Sequence, residues 1–549
     1  SVGTTHMTLR RITTRLATVV TALLFLAACS GSAGPETTSD PAASTTDAAS
    51  SCPASAQTIV DRFDEFLVPY SDLTPEEFLA ADLDGLEEFQ NDIAQTVVNV
   101  ATDPNDNCTE RELETQVEQA LDDYAGSGTL NQYLVGLVRQ GVQVETRDVV
   151  VGPDDDLVAI LATLGPGSSV TFDEGTFSLD ASILVQGDLV FVGAGRDETI
   201  VESQADTAAI AVLGGGSLVL NNFTIKHVGE LPASVVVAVD SSLELVNMAI
   251  SGGVVDAEGG GGSGVVLTET EQATSEPSVA IDRSVVSGNA AAGIAVTGSF
   301  APQVLNTVIA SNGQCGICFF DTGAGQVQSS TLQANGVGIQ SSNQSSPELS
   351  LNQFIDNEVA GLLIEDESSA VVISNSFDGE GTVAIDVQGS SSTVLQRNTI
   401  GAHAVGISLR EASQASASNN TITGADVAML IGGSAVPVVF DNEIDQSQVA
   451  GILHTESSSG EFTDNWIKPE TGAGIVVEGQ AAPEQIDVVI ENGLVGIVFR
   501  ETATGRIRGA TLSGQQVGIE TNDQTSPTIE MTAVVDASDA GVILGGETT

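Results

Sequence analysis

Positive charge is scarce in this chain: of 549 residues, 16 are lysine or arginine against 74 aspartate or glutamate, a formal net charge of −58. That balance argues against duplex nucleic acid and anionic membrane surfaces as partners, since both call for a basic footprint. Aromatic residues make up 4%, with three tyrosines and a single tryptophan, Trp466. Surfaces that stack sugars use several rings, so one indole is a thin platform. Four histidines leave little material for general acid–base chemistry. Beyond the N-terminal region, no apolar run is long enough to span a bilayer.

Glycine is plentiful, at 58 residues, and its placement is regular. Gly316, Gly361, Gly406, Gly451, Gly496 and Gly541 fall 45 residues apart, with a second series at Gly293, Gly338, Ala384, Met429, Gly474 and Gly518 between them. The implied rung of 22 or 23 residues is too short to bury a core alone, so rungs must stack into a solenoid. A small apolar residue precedes most of these positions (Val337, Ala360, Val383, Val405, Ala428, Ala450, Ala473, Val495), and Ile or Leu follows at +1 with another large apolar residue often at +3. The spacing predicts strands, with positions −1, +1 and +3 on one face. Asn222, Asn247, Asn306, Asn352, Asn375, Asn398, Asn420, Asn442 and Asn465 recur further round the rung. Asparagine tolerates the left-handed backbone of a sharp turn, and stacked asparagines can bond to one another.

The segment Gly165 to Ser203, followed by rungs of the form Gly-Ile-x-hydrophobic and Asn-Asn-Thr-Ile, resembles the right-handed parallel β-helix, or pectate-lyase-like, superfamily. The resemblance covers residues 146 to 549 and implies an all-β solenoid over 144–549, its N-terminal end lidded by a helix. It implies no single activity, because the fold hosts lyases, hydrolases, epimerases, adhesins and proteins without chemistry. The motifs of its enzymes are missing. Of the polygalacturonase set only Arg506-Ile507-Arg508 is similar, the Asp-Pro-His-Glu signature of mannuronan epimerases is absent, and no arginine stands beside a carboxylate cluster as in pectate lyases.

The N-terminus reads as an export signal. Met7 is the expected start, Arg10, Arg11 and Arg15 precede the apolar run Leu16 to Ala28, and Leu26-Ala27-Ala28-Cys29 resembles a bacterial lipoprotein signal (7–28), in which Cys29 is lipidated. The lipid would then be the only membrane anchor. Residues 29–51, rich in Ser, Thr, Ala, Asp and Pro, read as a disordered tether. Residues 52–143 switch to helical periodicity, with capping boxes at Thr74 to Glu77 and Thr109 to Glu112. A small helical bundle is expected there, stapled by a Cys52–Cys108 disulfide in an oxidising compartment.

Several residues invite a chemical reading. Asp154, Asp155 and Asp156 precede Leu157 to Leu161 as helix-capping acids or a cation site. Glu269, Asp321, Asp366, Glu411, Glu456 and Glu501 share one repeat position, an acidic ladder on alternate rungs. It is open to two readings, a solvated turn residue copied by duplication or a charged surface for a basic or cation-bridged partner. Neighbouring acids would lie about 10 Å apart, too far for a calcium cage that needs oxygens within about 2.6 Å. His454 takes a position held elsewhere by Phe319, Ile364 and Leu409, which favours a buried ring. Trp466, beside Lys468, is expected on the surface as a candidate ligand contact. Cys315 is expected to point inward and Cys318 outward, as two thiols or a strained local disulfide.

No catalytic, cofactor or metal motif is recognisable. The expectation is an exported, lipid-anchored β-helix that binds an extracellular or cell-wall polysaccharide or other polymer without chemistry. The alternatives are a polysaccharide-active lyase or glycoside hydrolase and a structural surface spacer.

Overall fold

The computed structural model describes residues 52–70, 116, 120, 146–161, 164–185, 187–269, 277–379 and 381–546. The signal sequence, Cys29, the tether and Cys108 lie outside the described residues. Within the predicted helical bundle, the described part is a helix, Cys52–Leu67, followed by a 3-10 turn, Val68–Tyr70. Ala56, Ile59, Val60 and Phe63 are buried along one stripe of that helix, the spacing that an amphipathic helix requires.

From residue 148 onward the chain is a parallel β solenoid that divides into two compact units. In the first, Asp148–Val151 pairs in parallel with Ser168–Phe172, which pairs with Asp188–Val192 and that with Ser217–Asn221. Gly175–Leu179, Thr199–Ser203 and Thr224–His227 stack as a second sheet, and Ile183–Val185, Ala208–Val212 and Ser234–Val239 as a third. Phe172 anchors the interior, its ring 5.1 Å from that of Phe177 and 5.6 Å from those of Phe191 and Phe223. The helix Leu157–Leu161 buries Leu157 and Leu161. Just before it, the Asp155 carboxylate accepts the Gly152 amide at 2.7 Å, so one of the three aspartates closes the turn leading into the helix.

The second unit repeats one rung many times. In the rung that opens at Ala360–Ile364, the chain passes from that strand (glycine sheet) through a turn to Val371–Ile373 (middle sheet), then round a tight corner to Ser376–Asp378 (closing sheet). Each strand pairs in parallel with its equivalent one rung on, as Ala360 with Val383, Val371 with Val394 and Ser376 with Thr399. Phe354 and Phe377 stack inside with centroids 4.4 Å apart.

Two features depart from the sequence reading. Register across the glycine sheet aligns Cys315 with Val337 and Ile317 with Ile339, leaving the glycines between them outside the paired positions. A Cβ on Gly316 would lie 2.6 Å from the Gly338 carbonyl, and one on Gly474 2.7 Å from that of Gly496, so neighbouring backbones in this column are too close for a side chain without a shift. The strand bends here, and alternation restarts after the bend. Positions +1 and +3 point into the core, whereas −1 shares the outer face with +2: Ala450 and Ala473 pack with Val476, Val498, Leu453 and Val495. The expectation that −1 joins the core fails for this reason. In the rung 427–431, Ala428 is the glycine equivalent, since Met429 pairs with Ile407; Met429 is one residue out of the series.

The asparagines divide as well. Asn352, Asn375, Asn398, Asn420, Asn442 and Asn465 form a continuous stack at the corner between middle and closing sheets, with side-chain to side-chain distances of 2.9 to 3.1 Å. The left-handed residue is the one before each: Leu351, Ser374, Arg397, Asn419, Asp441 and Asp464 have φ of 53° to 58°. Asn222, Asn247 and Asn306, with φ of 67°, 52° and 50°, occupy that preceding position and are not rungs of the stack. A second stack, Asn289, Asn312, Asn335 and Asn357, runs between closing and glycine sheets at 2.9 to 3.1 Å.

Candidate functional site

The acidic ladder residues Asp321, Asp366, Glu411, Glu456 and Glu501 sit in the turn between glycine and middle sheets, with φ of 56° to 60°. On intervening rungs the same left-handed place is held by Asn343, Gly389, Gly433 and Gly479. The carboxylates of Glu411, Glu456 and Glu501 accept the backbone N–H of Gly389, Gly433 and Gly479 at 3.0, 2.6 and 3.0 Å, and Asp366 accepts that of Asn343 at 3.0 Å. Asp366, Glu411, Glu456 and Glu501 thus tie their turns to the one before, whereas Asp321 donates its own N–H to Asn343. Glu269 accepts from the Ser299 hydroxyl at 2.6 Å.

His454 and Glu456 do not meet. His454 is fully buried, edge-on to Phe462 at 4.6 Å, while the Glu456 carboxylate faces Gly433. The His454 Nε2 lies 3.0 Å from the Gln485 amide nitrogen, which leaves the ring proton on Nδ1. Burial drives its pKa down from 6.5 to about 3, so the ring is neutral at any physiological pH. Trp466 and Lys468 lie half-buried on the outer face of the closing sheet. Trp466 stands in register between Glu443 and Val489, and Lys468 beside Asp445.

Cys315 and Cys318 are joined as a disulfide with Cα atoms 5.8 Å apart. The bend at Gly316 puts both on the outer face, where they pack with Ala292 and Val337 and against Ala295, Phe320 and Leu363. Cys315 therefore does not point inward.

Those residues begin a feature not visible in the sequence. The outer face of the glycine sheet is apolar around Cys315 and again around Ala450 to Val498, and between the two runs it turns polar. Glu365 accepts from Gln340 at 2.9 Å and Ser342 at 3.2 Å. One rung on, Asp386, with its side chain 7% exposed, is gripped by the Arg410 guanidinium through Nε at 3.2 Å and through a second, shorter contact, and by Gln388 at 2.8 Å. That hydrogen bond and the adjacent charge raise the Arg410 pKa. Ser408 stands in register beside Asp386; it is 2% exposed, and its hydroxyl has no partner among the described residues. Asp386, Ser408 and Arg410 lie on neighbouring rungs at +2 and +4 from their glycine equivalents, a signal that a full superposition of the repeats contains.

A family model described as a right-handed beta helix region matches residues 208–400. That region belongs to the right-handed β-helix superfamily. A second model, described as a periplasmic copper-binding protein (NosD), matches residues 385–531. Copper does not fit the donors in that stretch: His454 is sealed in the core, His403 is buried with Nδ1 3.2 Å from the Gly401 carbonyl, and among the described residues no group of three His, Cys, Asp or Glu is placed to hold a metal. No curated protein sequence matches this β-helix. Similar solved structures include the pre-mature bacteriophage phi29 gene product 12, at 10% identity over 69% of this chain and 70% of that one, TM-score 0.38. The catalytic unit of a GH87 α-1,3-glucanase from Streptomyces thermodiastaticus follows at 13%, 58% and 62%, TM-score 0.33. A mannuronan C-5 epimerase module from Azotobacter vinelandii has 14%, 70% and 91%, TM-score 0.23. None of these likenesses assigns an activity to this β-helix.

Proposed function

We propose that this β-helix is an exported lipoprotein that binds an extracellular or cell-wall polysaccharide without transforming it. Its lipid sits on Cys29, residues 30–51 are the tether, and residues 52–143 form a helical domain carrying the Cys52–Cys108 disulfide. The periplasmic description of the family model over 385–531 supports export, as does the Cys315–Cys318 disulfide, a bond that oxidising compartments maintain. The observation that carries the binding reading is the polar strip on the outer face of the glycine sheet, where Arg410 and the half-buried Glu365 meet the surface and Asp386 and Ser408 lie buried beside them, set between two apolar runs. Charged and amide groups at a protein surface can meet the hydroxyl edges of a sugar. Against chemistry stands the ladder: Glu411, Glu456 and Glu501 each hold a turn amide one rung away, and His454 is sealed in the core.

Expression of the full chain with its own leader tests both halves. The protein is expected to incorporate a fatty-acid label that Cys29→Ala abolishes, and to be retained by at least one member of a panel of immobilised polysaccharides. Retention by none of them would contradict the binding reading and leave a spacer.

A further inference from the structure

Away from the strip, the closing sheet of the second unit carries an exposed surface whose chemistry selects a class of polysaccharide, an inference that rests on the binding reading above. We propose that the outer face of this sheet around Trp466 docks a glycan bearing free amines, a cationic aminosugar polymer.

Three successive rungs build the surface, each passing the corner between middle and closing sheets and entering a closing strand, at residues 441–445, 464–468 and 487–491. These short segments hold six carboxylates, Asp441, Glu443, Asp445, Asp464, Asp487 and Glu491, and one cation, Lys468. Asp441, Asp464 and Asp487 take the left-handed corner position on consecutive rungs, with φ of 50° to 54°, so the row repeats at the strand spacing of about 4.8 Å. These three and Glu443 are exposed, and their carboxylates have no hydrogen-bond or ion-pair partner among the described residues. Trp466 stands in its column between Glu443 and Val489, with Thr421 and Thr511 one rung further out on either side. Threonine and valine hold the same column elsewhere, so the packing of the rung does not call for an indole.

Unpaired carboxylates one strand spacing apart repel each other and attract a cation. A polymer with an ammonium group on every unit, laid along the row, relieves that repulsion, and a pyranose unit is of the order of the strand spacing in length. The indole adds an apolar face for sugar C–H groups and a ring quadrupole that attracts an ammonium. One ring is a thin platform alone; here the carboxylates supply the rest of the attraction. A polyuronate would meet the aspartate row as like charge. The cations around the surface do not reverse this balance. Arg397 lies at the same corner two rungs before Asp441, Arg506 is engaged by Glu484 and Glu530, and exposed Arg508 lies on the middle sheet beyond Ile486. Lys468, in register beside Asp445, stands within the surface and opposes a cationic ligand, so its removal should tighten binding.

Trp466 is the chain's single tryptophan, so its emission reports on this face alone. The full chain is titrated with glucosamine oligomers, their N-acetylated counterparts of equal length, oligogalacturonate and oligolysine. The titrations run at about pH 5.5, where amines are protonated and carboxylates ionised, in about 20 and about 200 mM salt. The expected result is a saturable emission change with the glucosamine oligomer, its affinity falling roughly threefold or more at the higher salt. The N-acetylated oligomer is expected to bind at least about tenfold more weakly, and oligogalacturonate to leave the emission unchanged. Glu443→Gln should weaken glucosamine binding roughly two- to fivefold and Lys468→Gln should strengthen it by a similar factor, both with unchanged melting curves. Equal or tighter binding of the N-acetylated oligomer or of oligogalacturonate would overturn the amine class, and tighter binding of oligolysine would replace the glycan by a basic peptide. Retention on an immobilised glucosamine polymer without an emission change, or affinity unmoved by both substitutions, would overturn the location. Silence towards every oligomer, with retention on another member of the polysaccharide panel, would overturn the aminosugar while leaving polymer binding standing; retention on nothing would remove the binding reading itself.

Discussion

Replacing Asn398 by alanine is expected to destabilise the second unit by about 3 to 5 kcal/mol, among the largest effects of any single substitution. Its Oδ1 accepts both the backbone N–H and the side-chain amide of Asn375, each at about 3.0 Å, and its own amide donates to the Val372 carbonyl and the Asn420 Oδ1 at 3.0 Å. All of these groups are buried, so truncation strands donors and acceptors on the rungs either side of Asn398 instead of returning them to water. Thermal or denaturant unfolding measures the loss, with Thr399→Ala as an exposed control expected to change stability by less than about 0.5 kcal/mol. Hydrogen exchange supplies the local readout. The Asn375 amide loses its acceptor and should exchange much faster in the variant; unchanged protection there would show that the stack does not hold the corner.

The second large effect is pH dependence at His454. In the unfolded chain the ring titrates near 6.5, whereas burial holds it neutral in the fold down to about 3. Above pH 6.5 the ring is neutral in both states and adds no slope. As pH falls from 6.5 towards 3 the unfolded chain takes up a proton that the folded chain refuses, so stability drops by about 1.4 kcal/mol per pH unit from this group alone. Carboxylates titrate lower in the same range, so the comparison needs a partner variant. His454→Leu with Gln485→Ile replaces the pair by apolar side chains, as carried at the same places by Leu409 two rungs before and Ile507 one rung after. The variant should match or exceed the parent at pH 7.5 and show a shallower fall between pH 6.5 and 4.5. Parallel curves would mean that His454 does not couple to folding.

The repeating architecture was legible in the sequence because a solenoid writes its packing into a fixed period. Glycine at a point of close backbone approach, Ile or Leu after it, and asparagine at the corner recur because each rung meets the same neighbours. What the period hides is a bend. Counting outward from Gly316 by strict alternation puts Cys315 inside, and only the bend at the glycine column brings it to the outer face beside Cys318. The asparagine signature was misread by one residue at Asn222, Asn247 and Asn306 for a related reason. The corner has two adjacent places, one that needs left-handed backbone and one that needs a stacking amide, and asparagine suits both. The candidate site was less visible because it is an interruption of the pattern. Asp386, Ser408 and Arg410 are far apart in sequence and become neighbours only when rungs are set in register. The acidic ladder was legible as a column, but its hydrogen bonds to the turn amides required the backbone.

Binding without chemistry is the central claim, and product release tests it most directly. The full chain would be incubated with whichever polysaccharide retains it, and the solution followed for new reducing ends and for the ultraviolet absorbance of unsaturated sugars. The account predicts stoichiometric retention with no increase in either signal over hours. Steady release of either kind of end, abolished by Asp386→Asn, would contradict it and make the polar strip a catalytic site.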